Sequence, residues 1–131
     1  MAFINSFAPV FFNRASKISD KKEQFKLVIT NMIPTISLFA MGDIKKPFNP
    51  ILGETFQGHY SGDPIYIEQI SHNPPLTQFL IYGKHYKMEG MFHPDPNLEL
   101  NAVLIKNLGK GTIYFENTNN KIEHMALTLR M

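Results

Sequence analysis

Two short segments of the chain carry residue types that can bind an anion. The first contains Lys45 and Lys46, and the second contains His72 followed by Asn73. A phosphomonoester carries up to two negative charges, so it favours a lysine ammonium group, an imidazole donor and backbone N–H groups held in a fixed loop. The two segments together are therefore suited to a phosphate group.

Prolines stiffen both segments. Pro47 and Pro50 lie in the first, and Pro74 and Pro75 lie in the second. Two consecutive prolines fix two φ angles, bias Asn73 toward extended geometry and remove two backbone donors. We therefore expect residues 68–75 to include a stiff loop that cannot join a ladder, in place of a plain hairpin turn between two strands.

Each of these residues also has a simpler interpretation. Lys45 and Lys46 can be a solvated pair of loop lysines, and His72 can be a loop histidine with a local hydrogen bond. For Glu54 and Glu68 we expect a salt bridge to the lysines or a loop-anchoring role, not catalysis.

The two segments resemble the motifs of one protein family. Glu68-Gln69-Ile70-Ser71-His72-Asn73-Pro74-Pro75 resembles the fingerprint E-Q-V-S-H-H-P-P of the oxysterol-binding-protein-related lipid transfer proteins, and residues 46–54 resemble their segment K-P-x-N-P-x-L-G-E. The motifs occur here in the family's order. The resemblance covers roughly residue 9 to the C-terminus and implies one partial domain over residues 1–131, equivalent to the N-terminal part of the family's domain.

This resemblance implies a fold and a ligand. Family members form a large incomplete β-barrel that holds one lipid, a sterol or a phosphoinositide, in a tunnel beneath an N-terminal lid, and they carry lipids between membranes. The implied headgroup contacts are Lys46, His72 and Asn73, with Lys45 beside them, and Phe48 and Leu52 would line or gate the tunnel mouth. A structural role near the site is implied for Asn49, Glu54, Glu68, Pro74 and Pro75.

Asn73 departs from the family pattern, because it stands where the family has its second histidine. An asparagine amide can donate a hydrogen bond, but it can never become a cation. We therefore expect phosphate binding that is weaker or less dependent on pH than a paired-histidine site gives.

Composition limits the other function classes. The chain has 131 residues, of which 44% are hydrophobic and 18% charged, so it is expected to form one globular domain. A net charge of +2 is too small to imply nucleic-acid binding, and the absence of cysteine excludes disulfides and thiol catalysis. No apolar run approaches the length of a membrane span, so we expect a cytoplasmic protein that is peripheral at intracellular membranes.

The sequence does not indicate an enzyme. Ser71 adjoins His72, but neighbouring strand residues point to opposite faces and no nucleophile-elbow pattern surrounds the serine. The five histidines are scattered without metal-ligand spacing. We therefore expect no catalytic residue, no metal and no cofactor.

The elements that position these residues form an α+β pattern that begins with helices. Asp20 and Glu23 make a capping box, and apolar residues follow at helical spacing, which predicts a helix from about residue 20 to 33. Pro34 should end or kink this helix, and residues 35–41 are a candidate second helix. Residues 1–12 either pack on the core or form a flap that contacts lipid.

From Thr55 onward the pattern changes to short alternating runs separated by turn residues. Such runs predict an antiparallel β meander, here part of an incomplete lipid-binding β-barrel. Several runs are apolar on both faces, which fits either a curved sheet around an apolar lumen or an ordinary filled core. The predicted strands are residues 55–60, 65–70, 77–82, 86–92, 98–106, 112–115 and 122–129.

The sequence therefore predicts lipid binding and transfer, with a sterol or phosphatidylinositol 4-phosphate held in a barrel tunnel and moved between membranes. The expected partners are the lipid and a membrane surface, with no nucleic acid. Two alternatives stay open. One is a docking module that binds phosphoinositide headgroups without extracting the lipid, and the other is a truncated fragment without a function of its own.

Overall fold

A computed structural model describes residues 7–40, 48–125 and 129–130. Within these residues two helices precede nine strands, which confirms the α+β class. The helices are α1 (Ala8–Ala15) and α2 (Lys21–Ala40). The strands are β1 (Thr55–Tyr60), β2 (Asp63–His72), β3 (Pro75–Tyr82), β4 (Tyr86–Phe92), β5 (Pro94–Glu99), β6 (Ala102–Asn107), β7 (Lys110–Phe115), β8 (Asn120–Met125) and β9 (Leu129–Arg130).

Helix α2 begins as predicted and ends later. The Asp20 side chain caps it by accepting a hydrogen bond from the Lys22 N–H at 2.9 Å. We expected Pro34 to end or kink the helix. Helix α2 continues through Pro34 to Ala40, so the predicted end at this residue and the separate second helix are wrong. A proline has a φ angle close to the helical value and removes one N–H donor, and here the turns on both sides outweigh that loss.

Six strands form one antiparallel sheet, in the order β1-β2-β3-β4-β7-β8. Strands β5 and β6 leave this sheet after β4 and pair with β9 in a second sheet of order β5-β6-β9. The prediction of one strand at residues 98–106 is wrong, because the chain turns at Leu100 and Asn101 between β5 and β6. Apolar residues continue to alternate through this turn, so the sequence pattern does not indicate it. Of the predicted strand 122–129, residues 126–128 lie outside the described part of the chain.

One side of the six-stranded sheet, called the inner face, carries most of the buried side chains. Cross-strand partners lie on the same face, so the register places rows of residues side by side. The central row is apolar and runs from β2 to β8 through Ile65, Ile81, Met88, Ile113 and Ile122. The next row toward the β2–β3 turn contains Phe56, Ile67, Phe79, Gly90, Gly111 and His124.

Helix α1 packs on the inner face at the end of the sheet where β2 begins. The Phe12 ring makes edge contacts with Tyr86 at 5.4 Å and Phe115 at 6.4 Å between ring centroids. The carboxyl group of Asp63 accepts hydrogen bonds from the Asn13 amide and the Tyr86 hydroxyl, both at 2.8 Å. Burial and this hydrogen bond raise the pKa of Tyr86 above its usual value, so the hydroxyl stays a donor. These contacts fix the helix to the sheet at the end opposite the β2–β3 turn.

The opposite side of the same sheet, called the outer face, is more polar than the sequence led us to expect. Lys87 pairs with Glu89 at 2.7 Å, and Lys121 pairs with Glu123 at 2.5 Å. In the described part of the chain, the sheet is therefore amphipathic, with its larger apolar surface on the inner face. Because of this asymmetry, an apolar ligand would bind more favourably on the inner face of the sheet than on the outer face.

His124 on β8 is a partly buried titratable group on the inner face of the sheet. Its ring lies over Gly111, where a Cβ atom would clash with the imidazole, and neither ring nitrogen has a hydrogen-bond partner among the described residues. Burial lowers the pKa of His124 below its usual value of 6.5. The unfolded chain therefore binds more protons at this residue than the folded chain does.

We predict that the free energy of unfolding is highest above about pH 6.5 and falls as the pH drops toward the lowered pKa of folded His124. Urea denaturation at several values between pH 7.5 and 5 measures this slope. The variant His124→Gln is the control, since it removes the titrating group. An equally steep slope in the variant would contradict the prediction.

Candidate functional site

The second motif forms a tight β-hairpin. Strand β2 runs through His72, Pro75 begins β3 opposite it, and Asn73 with Pro74 form the turn, joined by a cis peptide bond. The prediction of a stiff loop that cannot join a ladder is therefore wrong. A cis proline fits the third position of a tight turn, which lets two residues reverse the chain. Asn73, Pro74 and Pro75 are exposed, as is His72.

The described part of the first motif, residues 48–54, lies against the second motif. The Gly53 N–H donates to the Gln69 carbonyl at 2.8 Å, and the Gln69 N–H donates to the Glu54 carbonyl at 3.0 Å. This exchange continues the pairing of β1 with β2 by a further step toward the β2–β3 turn. The two motifs therefore meet at Gln69.

Glu54 holds the loop of the first motif closed. Its carboxylate accepts a hydrogen bond from the Ile51 N–H at 3.0 Å, and its own N–H donates to the Ile51 carbonyl at 3.0 Å. Gly53 takes a φ of 79°, a conformation in which glycine has no steric cost. These bonds connect the two ends of the loop, and a role of Glu54 beside a ligand stays a prediction. Glu68 is an exposed residue of β2 and lies opposite Thr55.

The residues expected at a tunnel mouth are exposed in the structure. The relative exposure is 101% for Phe48 and 64% for Leu52, and Asn49 is exposed as well. Lys45 and Lys46 lie outside the described residues, so their role stays a prediction from the sequence. Phe48, two positions after Lys46, is the nearest described residue that follows these lysines.

Sequence reasoning missed Gln69 and Thr77, which support the turn. Gln69 is 4% exposed, its side-chain amide donates to the Ser71 carbonyl at 2.7 Å, and its amide oxygen accepts a hydrogen bond from the Thr77 hydroxyl. Gln69 stands within the recognised motif, and a polar residue in register with Ile65 and Ile67 on one face of a strand is a signal that could have identified it.

The described residues show neither a metal centre nor a membrane helix. No group of three or more acidic or histidine side chains in this part of the chain is arranged to hold a metal ion. None of the helices in the described residues is both long and apolar enough to cross a membrane.

Comparison with known proteins identifies the family. The family model described as oxysterol-binding protein matches residues 7–130. Oxysterol-binding protein 9 of Dictyostelium discoideum is 36% identical over 90 residues, covering 66% of this chain and 21% of the relative. The chain therefore spans about a fifth of the length of that relative.

Two solved structures share the fold. The Osh3 ORD from Saccharomyces cerevisiae, in complex with PI(4)P, matches with a TM-score of 0.83 and 23% identity over 95% of this chain and 34% of its own. The Osh1 ORD domain in complex with ergosterol matches with a TM-score of 0.79 and 21% identity over 93% of this chain and 30% of its own. Two helices followed by an open antiparallel sheet, as found here, fit part of such a domain. Both motifs are present in the sequence, and the family model matches residues 7–130, which is nearly the whole of this chain. This chain therefore belongs to the oxysterol-binding protein family.

Proposed function

We propose that the chain is part of an intracellular lipid-binding and transfer domain, which binds a phosphoinositide headgroup where the two motifs meet. The observation that carries this proposal is the hydrogen-bonded junction of the motifs at Gln69, at one end of an apolar inner face. The proposed role is binding and carriage of lipid between membranes, without a catalytic step or a cofactor.

The proposal is supported by side chains suited to a phosphomonoester, some next to the junction and some only in the sequence before it. His72 is an exposed imidazole at the end of β2, and Asn73 supplies an amide in the adjoining turn. The sequence supplies cationic charge at Lys45 and Lys46, just before the described part of the first motif. Charge-assisted hydrogen bonds of this kind are roughly twice as strong as neutral ones, so these groups would contribute most of the headgroup affinity.

The inner face offers a surface for the apolar part of the lipid. The row of the junction itself carries Thr77 and the half-buried Phe92 beside Gln69, and the next row carries Ile67 and Phe79 at the edge of the buried core. The related Osh3 structure holds PI(4)P and the related Osh1 structure holds ergosterol, which supports a phosphoinositide or a sterol as the ligand class. Because the chain spans about a third of those structures, we propose that it forms one part of the enclosing barrel.

A membrane-docking module is the second candidate, and the first motif favours it. Phe48, Ile51 and Leu52 are 101%, 70% and 64% exposed, so three apolar side chains lie together in the sequence just after two lysines. Such a segment can contact acyl chains while the lysines attract anionic headgroups. A docking module would use the same headgroup site but would leave the lipid in the bilayer.

We predict that the purified chain moves labelled phosphatidylinositol 4-phosphate from donor to acceptor liposomes. His72→Ala and Lys46→Ala should each lower its transfer by about tenfold or more, because each removes a partner of a charged phosphate. His59→Ala is the matched control, since His59 is an exposed strand histidine on the outer face of β1 and should leave transfer unchanged.

The same transfer assay with a labelled sterol, run in parallel liposomes, helps to distinguish a lipid carrier from a docking module. Binding to phosphoinositide liposomes without transfer of either lipid would favour the docking module. A folded chain that neither binds nor transfers lipid would contradict both functions. It would favour the remaining alternative, a truncated fragment without a function of its own. Transfer that both substitutions leave intact would contradict the proposed site.

We also predict that Asn73→His strengthens phosphoinositide binding, and that the gain is larger at pH 6 than at pH 7.5. A second imidazole can become a cation in this range, whereas the asparagine amide cannot. Cosedimentation with liposomes that contain phosphatidylinositol 4-phosphate measures the affinity, and Asn73→Gln, which keeps an amide, is the control. An unchanged affinity at pH 6 would show that Asn73 is not a headgroup contact.

A further inference from the structure

The pairing of β2 with β3 changes register immediately before the candidate site. Gln69 lies opposite Thr77, whereas Ser71 lies opposite Leu76, the next residue along β3. Ile70 is therefore an extra residue in β2, which is the definition of a β-bulge. His72, beyond the bulge, lies opposite Pro75.

The bulge decides the face on which His72 lies. Successive strand residues alternate between faces, so unbroken alternation would place His72 on the outer face with Tyr66 and Glu68. In the structure His72 is the cross-strand partner of Pro75, and Pro75 lies two residues from Thr77 on β3. Cross-strand partners share a face, so His72 lies on the inner face with Gln69 and Thr77.

One buried side chain, Gln69, spans this bulge. The Gln69 amide donates to the carbonyl of Ser71 at 2.7 Å, across the extra residue, and its oxygen accepts the Thr77 hydroxyl hydrogen bond. The backbone of Gln69 is bonded to Gly53 and Glu54 on the β1 side. A buried amide with both ends bonded fixes the rotamer of Gln69 and, through the Ser71 carbonyl, the backbone that leads to His72.

We propose that Gln69 and Thr77 form a positioning pair, which holds the bulge at Ile70 and so directs His72 toward a phosphoinositide headgroup at the inner face. This inference rests on the proposed function and names two residues that act on the ligand through His72. Bulges that re-aim a functional side chain are a recurring device next to binding sites. The pair would have no headgroup contact of its own.

Two substitutions at Thr77 test the pair. Thr77→Val keeps the shape of the side chain but loses the hydroxyl donor, and Thr77→Ser keeps the donor. The probe is binding to liposomes that contain phosphatidylinositol 4-phosphate, compared with liposomes that contain phosphatidylinositol. We expect Thr77→Val to weaken specific binding by roughly threefold to tenfold, as for one lost hydrogen bond, and Thr77→Ser to retain it.

A double-mutant cycle separates positioning from general stability. If Thr77 acts through His72, Thr77→Val has no further effect in a His72→Ala background. Equal effects of Thr77→Val in the two backgrounds would overturn the inference. So would wild-type binding by Thr77→Val, or loss of binding by Thr77→Ser.

A deletion variant tests whether Thr77 acts by holding the bulge. Removing Ile70 takes out the extra residue but leaves His72 opposite Pro75, so the bulge no longer has to be held. We expect the Ile70 deletion combined with Thr77→Val to bind as tightly as the Ile70 deletion alone. A further loss on adding Thr77→Val would show that Thr77 acts by another route.

The proposed function and this inference can fail separately. If the wild-type chain does not distinguish the two liposomes, the proposed function fails. The inference is then decided by nuclear Overhauser contacts between the His72 imidazole and Pro75. These contacts should be weakened by Thr77→Val and kept by Thr77→Ser, and contacts of equal strength in both variants would overturn the inference.

Discussion

Strand β2 is bonded along both of its edges, and Gln69 is the residue at which these bonds converge. Its N–H and carbonyl groups pair with the first motif, and its side chain bonds to Ser71 and Thr77 of the β2–β3 hairpin. A buried amide left without these partners would cost about 1 to 3 kcal/mol for each unsatisfied group. The geometry of the candidate site therefore depends on one residue that itself binds no ligand in our proposal.

The sheet connects this junction to the helices. At one end of β2, Asp63 receives hydrogen bonds from Asn13 and Tyr86, and at the other end His72 leads into the turn. Between them the inner face is lined by apolar side chains, while the outer face carries ion pairs. The turn end of β2 is therefore polar, the opposite end lies in the core under α1, and apolar side chains lie between the two ends. Such an arrangement suits a ligand that has one polar part and one apolar part.

Much of this fold could be predicted from the sequence, because alternation and turn residues are local signals. Strands β1 and β4 have the predicted bounds, and Asp20 caps α2 as expected. Local signals failed where a distant interaction or a rare geometry decides the structure. Pro34 is tolerated inside α2, and the turn between β5 and β6 interrupts an apolar alternation that gives no sign of it.

The candidate site shows the same limit. The motifs pointed to Glu54 and His72 as candidates, and the structure shows that the segments holding them are joined at Gln69. The bulge at Ile70 could not be predicted, because a pattern of alternating residues contains no information about a register shift in the pairing of two strands. The face on which His72 lies, and with it the face onto which the proposed headgroup site opens, followed only from the pairing of β2 with β3.

The most direct test of this account is to titrate the isotope-labelled chain with the soluble headgroup of phosphatidylinositol 4-phosphate and to map the amide chemical-shift changes by NMR. The account predicts that the changes centre on Gly53, Gln69, His72 and Thr77, which lie at the junction of the two motifs. The account would be contradicted by changes confined to the outer face or to the Asn13–Asp63 end of the sheet. It would also be contradicted if a large molar excess of the headgroup caused no changes.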